Sequence, residues 1–337
     1  MNTSYLRQGK TKGIQSSLEA ALKFLSQRQF PHGEFPTYAA ENRKMNKGCK
    51  FDSTPFTTAF ILYSLGFYHH TTIGEINARG IRFLQAEMEG PGLWRYWSSH
   101  HQSHAVLPPD LDDTSCISFV LKQNRISIAN HKIILANRNP DGLFYTWLFP
   151  REPIYPELKK EISRWTKASS IPFFSITGTL DNVDHAVNAN VLLYLGECKE
   201  TQPVIDYVKQ NLAEQAFPGT SYYADGLVFY YLVSRAYHNG VISLQETRNA
   251  ILPNLLTRKK SNGSFGSELL TALAICTALN FHEARRHFDD SISYLLRAQR
   301  ENGSWKKSPC WLGPAPYYGS EELTTAFCVE ALARYIQ

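Results

Sequence analysis

No stretch of about 18 consecutive apolar residues occurs in the chain, so the sequence predicts no membrane-spanning helix. Charge is scarce: Asp, Glu, Lys and Arg make up 19% of the 337 residues, against 43% hydrophobic. That balance excludes a disordered chain and supplies a large core. There is no basic tract and no arginine patch interleaved with aromatics, which argues against a nucleic-acid partner. The formal net charge of +5 is spread along the chain and suits no more than weak peripheral contact with anionic lipid. The first residues, MNTSYLRQGKTKGIQ, lack an apolar signal core, so a cytoplasmic protein is expected. The six cysteines form no CxxC pair and no Cys/His group at zinc-finger spacing. Several sit inside apolar helical patterns, where a free cysteine acts as a small hydrophobe. Strand-like alternation is scarce as well.

Repetition takes its place. Six times the chain runs through an amphipathic stretch, a glycine-plus-aromatic turn, a loop, and a more apolar stretch. The first unit pairs residues 18–35 with 53–67, and the last pairs 292–305 with 320–336. Each first stretch carries its apolar residues on one helical face. Each second stretch is apolar nearly all round and is expected to be buried. Ser, Thr or Asp stands near the start of most second stretches, as a helix N-cap requires. Six helix pairs with polar outer and apolar inner members predict an all-α protein, a single (α/α)6 barrel over residues 1–337. An open solenoid of stacked pairs is the alternative.

If the pairs alternate in direction, every inner helix begins at one end of the barrel. One such start reads LPPDLDDTS, with Asp110, Asp112 and Asp113 crowded within four positions. The aromatic-rich loops GLWRYW, GLFYTWLF, GTSYYADG and CWLGPAPYYG belong to the same rim. The pattern is that of an aromatic-walled cavity with a carboxylate cluster in it. Three close carboxyls cannot all ionise, so at least one must hold its proton near neutral pH. A cation formed beside that acid would be stabilised by aromatic faces. Phe51, Tyr96, Trp97, Tyr145, Trp147, Tyr223, Trp311 and Tyr318 are the candidates to line the cavity.

Asp110-x-Asp112-Asp113 resembles the DxDD signature of class II terpene cyclases, and Gln299, Gly303 and Trp305 match the family's QxxxGxW repeat. Gln29, Gly33 and Phe35 form a weaker copy. The resemblance covers nearly the whole chain. Because there is no room for a second helical barrel, the chain looks most like the monodomain class II cyclases of cyanobacterial meroterpenoid pathways. The resemblance implies the β-domain type of barrel, Asp112 as the proton donor, and Asp110 and Asp113 as its partners in charge and hydrogen bonding. It also aligns Asn190 with the position where squalene-hopene cyclases place a histidine beside the acid. From there the Asn190 amide could donate a hydrogen bond to Asp112. The implied reaction is cyclisation of a small prenylated aromatic acid, such as a geranylgeranyl dihydroxybenzoate, with no cofactor and no metal.

Several other readings compete. Asp112, Asp113 and Thr114 would serve as a plain helix cap. Asn188 and Asn190 fall two apart on a helix, so only one is expected to face inward. His100, His101 and His104 lack a carboxylate at metal-ligand spacing. Asp289 and Asp290 resemble half of a class I metal motif and read as a helix cap. A free prenyl diphosphate is the alternative substrate, but it needs clustered cations at the rim. Only Arg95 lies in the four rim loops, and Lys47, Lys50, Lys306 and Lys307 are scattered in sequence. A protein prenyltransferase β-like subunit would need an Asp/Cys/His zinc site, and no such triad stands out. A non-catalytic isoprenoid-binding barrel would give the buried carboxyls no use.

Overall fold

The computed structural model describes residues 3–149, 181–214, 220–311 and 316–337, with side chains from residue 11 onward. Twelve α-helices lie among the described residues. Odd-numbered helices are α1 (Thr3–Arg28), α3 (Thr71–Ala86), α5 (His131–Ala136), α7 (Gln202–Glu214), α9 (Arg248–Thr257) and α11 (Asp289–Ala298). Even-numbered helices are α2 (Pro55–Leu65), α4 (Leu111–Gln123), α6 (His185–Leu195), α8 (Gly226–His238), α10 (Glu268–Asn280) and α12 (Glu321–Ile336). The even helices pack side by side, each on the next, and α12 returns to α2, which closes the ring. Helix α1 lies outside α12, α3 outside α2, α7 outside α6, α9 outside α8 and α11 outside α10. This is the expected all-α barrel rather than the open solenoid.

Burial follows the two sequence patterns. All eleven residues of α2 are buried, as are residues 111–121 of α4 and 322–334 of α12. Helix α3 buries Ile76, Gly80, Ile81, Phe83 and Leu84 on one side only. A helix apolar on every face is stable only when surrounded, and the ring supplies that surrounding.

All six inner helices begin at a side-chain cap: Thr54, Asp110, Asp184, Asp225, Ser267 and Ser320 each accept a bond from a first-turn N–H. The segments leading into them meet one another. Asp110 bridges to Trp147, Tyr223 to Trp311, and Trp311 to Tyr318. A short sheet adds β1 (Tyr38–Ala40), paired antiparallel to β2 (Lys50–Phe51) and β3 (Tyr317–Gly319). These inner-helix starts therefore share one rim.

A second tie recurs in five repeats. The N–H of the aromatic after each glycine turn donates into the first turns of an inner helix: Phe35 to Thr58, Trp94 to Thr114, Phe144 to Asn188, Phe265 to Thr271 and Trp305 to Thr325. Each such buried bond is worth about 1 kcal/mol. The QxxxGxW residues tie neighbouring outer helices. Gln299 Nε2 reaches Gly303 O and Ser17 O, both at 2.9 Å, and Gln29 Nε2 reaches Gly33 O and Ile76 O. Gly303 (φ +87°) and Gly33 (φ +107°) adopt left-handed backbone. A Cβ there would lie 2.2 Å from Ala20 O and 2.1 Å from Arg79 O, so glycine is required.

Candidate active site

Helix α4 sorts the three aspartates into different tasks. Asp110 is the cap, its Oδ1 accepting from Asp113 N at 2.8 Å. The cap is thus Asp110, not the Asp112–Thr114 run, because only the residue before the first helical turn can reach those N–H groups. Capping accounts for Asp110 and leaves Asp112 and Asp113 unexplained by local structure.

Asp112 is buried, and its side chain meets the neighbouring inner helix. Its Oδ1 accepts from Asn190 Nδ2 of α6 at 2.5 Å, and its Oδ2 accepts from the Tyr223 hydroxyl at 2.7 Å. The Tyr223 hydroxyl also accepts from Asn190 Nδ2 at 3.0 Å. Behind them, Arg235 Nη2 of α8 donates to Asn190 Oδ1 at 2.6 Å. Asn188, two residues away, faces Phe144 with both its amide nitrogen and its oxygen. It is the third repeat's counterpart of Thr58 and Thr114, four residues after its helix cap. Asn190 is the one that reaches the acid.

Burial pushes the Asp112 carboxyl up to about 6, against the opposing pull of the Asn190 and Tyr223 hydrogen bonds. Asp184 repulsion adds to the rise, and the Arg235 charge opposes it. Burial and then the charge on Asp112 raise Asp110. Burial and the charges on Asp110 and Asp112 raise Asp113 well above the carboxylate range. Asp113 Oδ1 is buried with no hydrogen-bond partner among the described residues, a position where a charge would be costly. The cluster can therefore hold a carboxylic acid where an isolated aspartate would be ionised. The N-terminal end of α4 and the two donors on Asp112 stabilise the anion left after proton loss.

The aromatic candidates divide. Trp147 lies beside the cap, its Nε1 donating to the Tyr222 hydroxyl at 3.2 Å. Trp311 donates from Nε1 to the Tyr96 hydroxyl at 2.9 Å and meets Phe56 edge-on at 5.3 Å. Tyr96 packs edge-on against Trp97 at 5.8 Å and Tyr318 at 5.7 Å. Trp97 stacks on His101 and holds Asp52 with its Nε1. Tyr145 is half-buried on the segment between α5 and α6. Phe51 is not with the others: it is 49% exposed on β2, in an outer groove beside Phe30. Both residues of that short strand are exposed. Tyr223 belongs to the acid assembly itself, through a hydroxyl contact 111 positions away in sequence. Arg235, Tyr222, Phe56 and Phe60 do not stand out in the sequence. Arg235, Phe56 and Phe60 lie in helical patterns that look like ordinary core, Tyr222 shares a loop with Tyr223, and only a buried arginine inside an apolar stretch is a signal.

His101 pairs with Asp52 at 3.2 Å and His104 with Glu89 at 3.3 Å, carboxylates brought in from other segments. Among the described residues no group of three His, Cys, Asp or Glu could hold a metal ion. Asp289 and Asp290 are first-turn residues of outer helix α11 and provide no cap, the N-cap being Phe288. Arg95 is held by Glu89 at 2.6 Å and by the Leu107 carbonyl. Lys47 pairs with Glu41 at 3.5 Å, and Lys50 is exposed. Lys306 and Lys307, in contrast, converge with Arg43, Lys44 and Arg258 on a pocket of about 440 Å³. Sequence distance conceals that cluster, which chain closure assembles. Asp225 holds both arginines there. No helix among the described residues is long and apolar enough to cross a membrane.

The sequence matches no protein-family model and no curated protein. Solved structures do match. A variant of the type II terpene cyclase MstE from Scytonema, in complex with geranylgeranyl dihydroxybenzoate, is similar at a TM-score of 0.72 and 16% identity. The match covers 97% of this chain and 99% of that one. Another MstE variant, in complex with the product merosterolic acid A, gives 0.71 at 17% identity over 97% of this chain and 98% of that one. The ent-copalyl diphosphate synthase of Streptomyces platensis gives 0.62 at 16% identity, over 84% of this chain and 50% of that one. The chain has the fold of type II terpene cyclases, along nearly the full length of the MstE structures.

Proposed function

We propose that this chain is a one-domain class II terpene cyclase that protonates a polyprenyl chain carried by an aromatic acid and closes it into a polycyclic meroterpenoid. The observation that carries the reading is Asp112: a buried carboxyl, raised to about 6, clasped on both oxygens by neutral donors. Protonating an alkene needs an acid that keeps its proton in a dry site and yields it to carbon. Asp112 meets the first demand by burial and the second by the donors waiting for its anion. The aromatic faces of Tyr96, Trp147, Trp311 and Tyr318 suit the cation that follows. Similarity to MstE supports geranylgeranyl dihydroxybenzoate as the substrate class. Incubating the purified protein with that compound is expected to yield a product of unchanged mass with fewer alkenes by NMR. Unaltered substrate would reject the proposal.

A free prenyl diphosphate is the second reading, favoured by the convergence of Arg43, Lys44, Arg258, Lys306 and Lys307. Activity on geranylgeranyl diphosphate that EDTA abolishes, with none on the prenylated benzoate, would move the assignment there. A prenylated benzoate is expected to turn over equally with and without EDTA.

The acid reading also sets the pH profile. Only protonated Asp112 acts, so kcat/KM is expected to fall about tenfold per pH unit above about 6. A profile that stays flat to about pH 9 would remove a carboxylic acid from the initiating step.

A further inference from the structure

Arg235 is a buried charge inside an apolar helix. It sits in the third turn of α8, 1% exposed. Its guanidinium carbon lies 4.6 Å from the ring centre of Phe60, 5.1 Å from Tyr63 and 5.6 Å from Tyr231. Its Nη2 bonds Asn190 Oδ1 at 2.6 Å and Cys116 Sγ at 3.4 Å. Among the described residues no carboxylate forms an ion pair with it. The nearby buried carboxylate, Glu330, is already engaged by Arg334, Ser64 and Tyr231. A buried guanidinium left with dipoles and ring faces alone is an expensive arrangement.

Two consequences follow for the acid. A guanidinium only donates, so the Asn190 atom facing Arg235 must be its oxygen. The Asn190 nitrogen is thereby turned to Asp112, and the choice between the two amide orientations is made by Arg235. The positive charge also stands one amide away from the carboxyl that loses its proton. While Asp112 is protonated the guanidinium has no counter-charge. Once the alkene π pair takes the proton into a new C–H bond, the O–H pair stays on Asp112 as a carboxylate. Arg235 is already in place to balance it. Such a preorganised charge favours the state after proton transfer over the state before it.

We infer that Arg235 is a positioning residue of the acid: it locks Asn190 as a donor to Asp112 and supplies, through that amide, the charge that offsets the Asp112 carboxylate. The inference rests on the reading of Asp112 as the proton donor. The other groups around Asp112 are the cap Asp110 and Asp113 of its own helix, the α6 cap Asp184 and Asn190 of α6, Tyr223 before α8, and the Cys116 and Cys310 thiols. Tyr63 of α2 and Tyr231 face Arg235 from its other side. None of these besides Arg235 carries a positive charge.

The test is the titration of Asp112 in the intact protein, followed by carboxyl 13C NMR with the signal assigned through Asp112→Asn. In Arg235→Met the Asp112 midpoint is expected to rise by about one pH unit, with kcat falling roughly 10- to 100-fold and KM little changed. Arg235→Met combined with Asn190→Ala is expected to be no slower than the worse single variant, since both act through one amide. Should Arg235→Met fail to fold, Arg235→Gln serves, being neutral yet able to donate to Asn190. Its midpoint is expected to rise in the same way. An unmoved midpoint, or multiplied losses in the double variant, overturns the proposal while leaving the cyclase reading intact. A moved midpoint in a protein that makes no cyclised product upholds the link between Arg235 and Asp112 and rejects the cyclase reading.

Discussion

Asp112→Asn is expected to lower turnover by at least about 10⁴-fold while the protein stays folded, because an amide has no proton acidic enough for an alkene. The fold should tolerate the change. The oxygen of the introduced amide can still accept from Asn190, and its nitrogen can donate to the Tyr223 hydroxyl. The stability of the variant relative to the wild type is expected to rise at alkaline pH. Asp112 is raised from an unfolded value of about 3.9 to about 6, so its protonation favours the folded chain. That contribution is complete below the unfolded value and is lost as pH climbs through the folded one. The difference is on the order of 3 kcal/mol, absent from the variant. Circular dichroism melts at about pH 5 and about pH 8 check the sign: the loss is only partway at the lower pH, so the variant should gain more on the wild type at the higher one. Turnover within about tenfold of wild type would remove Asp112 from the role.

Trp311→Ala is expected to do the most damage among the aromatic positions, and to two separate observables. Trp311 is 3% exposed, lies edge-on to Phe56 and binds the Tyr96 hydroxyl through its Nε1. Truncating so large a buried ring costs about 3–5 kcal/mol, read as a lower denaturant midpoint. If the ring also stabilises a late cation, the product mixture should shift toward earlier-quenched, less cyclised compounds. Trp311→Phe separates the two effects, since it keeps a π face in most of the space. It is expected to restore the product ratio more fully than the stability. An unchanged ratio in Trp311→Ala, alongside the stability loss, would assign Trp311 to packing alone.

Much of the architecture is legible because helix periodicity and capping are local. An apolar residue every third or fourth position marks an outer helix, and an apolar run behind Ser, Thr or Asp marks an inner one. Repeating that unit six times predicts a closed barrel, but an open solenoid stays possible until α12 is seen to pack on α2. The aspartate cluster at an inner-helix start stands out for the same reason: charge beside an apolar run is costly wherever it lies. Asn190 comes from resemblance, and its face of α6 stays open until Asn188 is seen to repeat the Thr58 and Thr114 tie.

What only the tertiary structure decided is the pairing across the ring. Asp112 meets Asn190 across 78 positions and Tyr223 across 111, and Arg235 stands 45 positions beyond Asn190. Nothing local distinguishes Tyr223 the acid partner from Tyr222 the neighbour of Trp147, since adjacent residues on a loop differ only in which way the chain turns. The same holds for Phe51, left exposed on its short strand, and for the five cations gathered from three segments at one pocket. Periodicity sets which face of an element is buried. Which buried group it meets is set by the closure of six helix pairs, and that geometry places a neutral donor, a phenol and a guanidinium around one carboxyl.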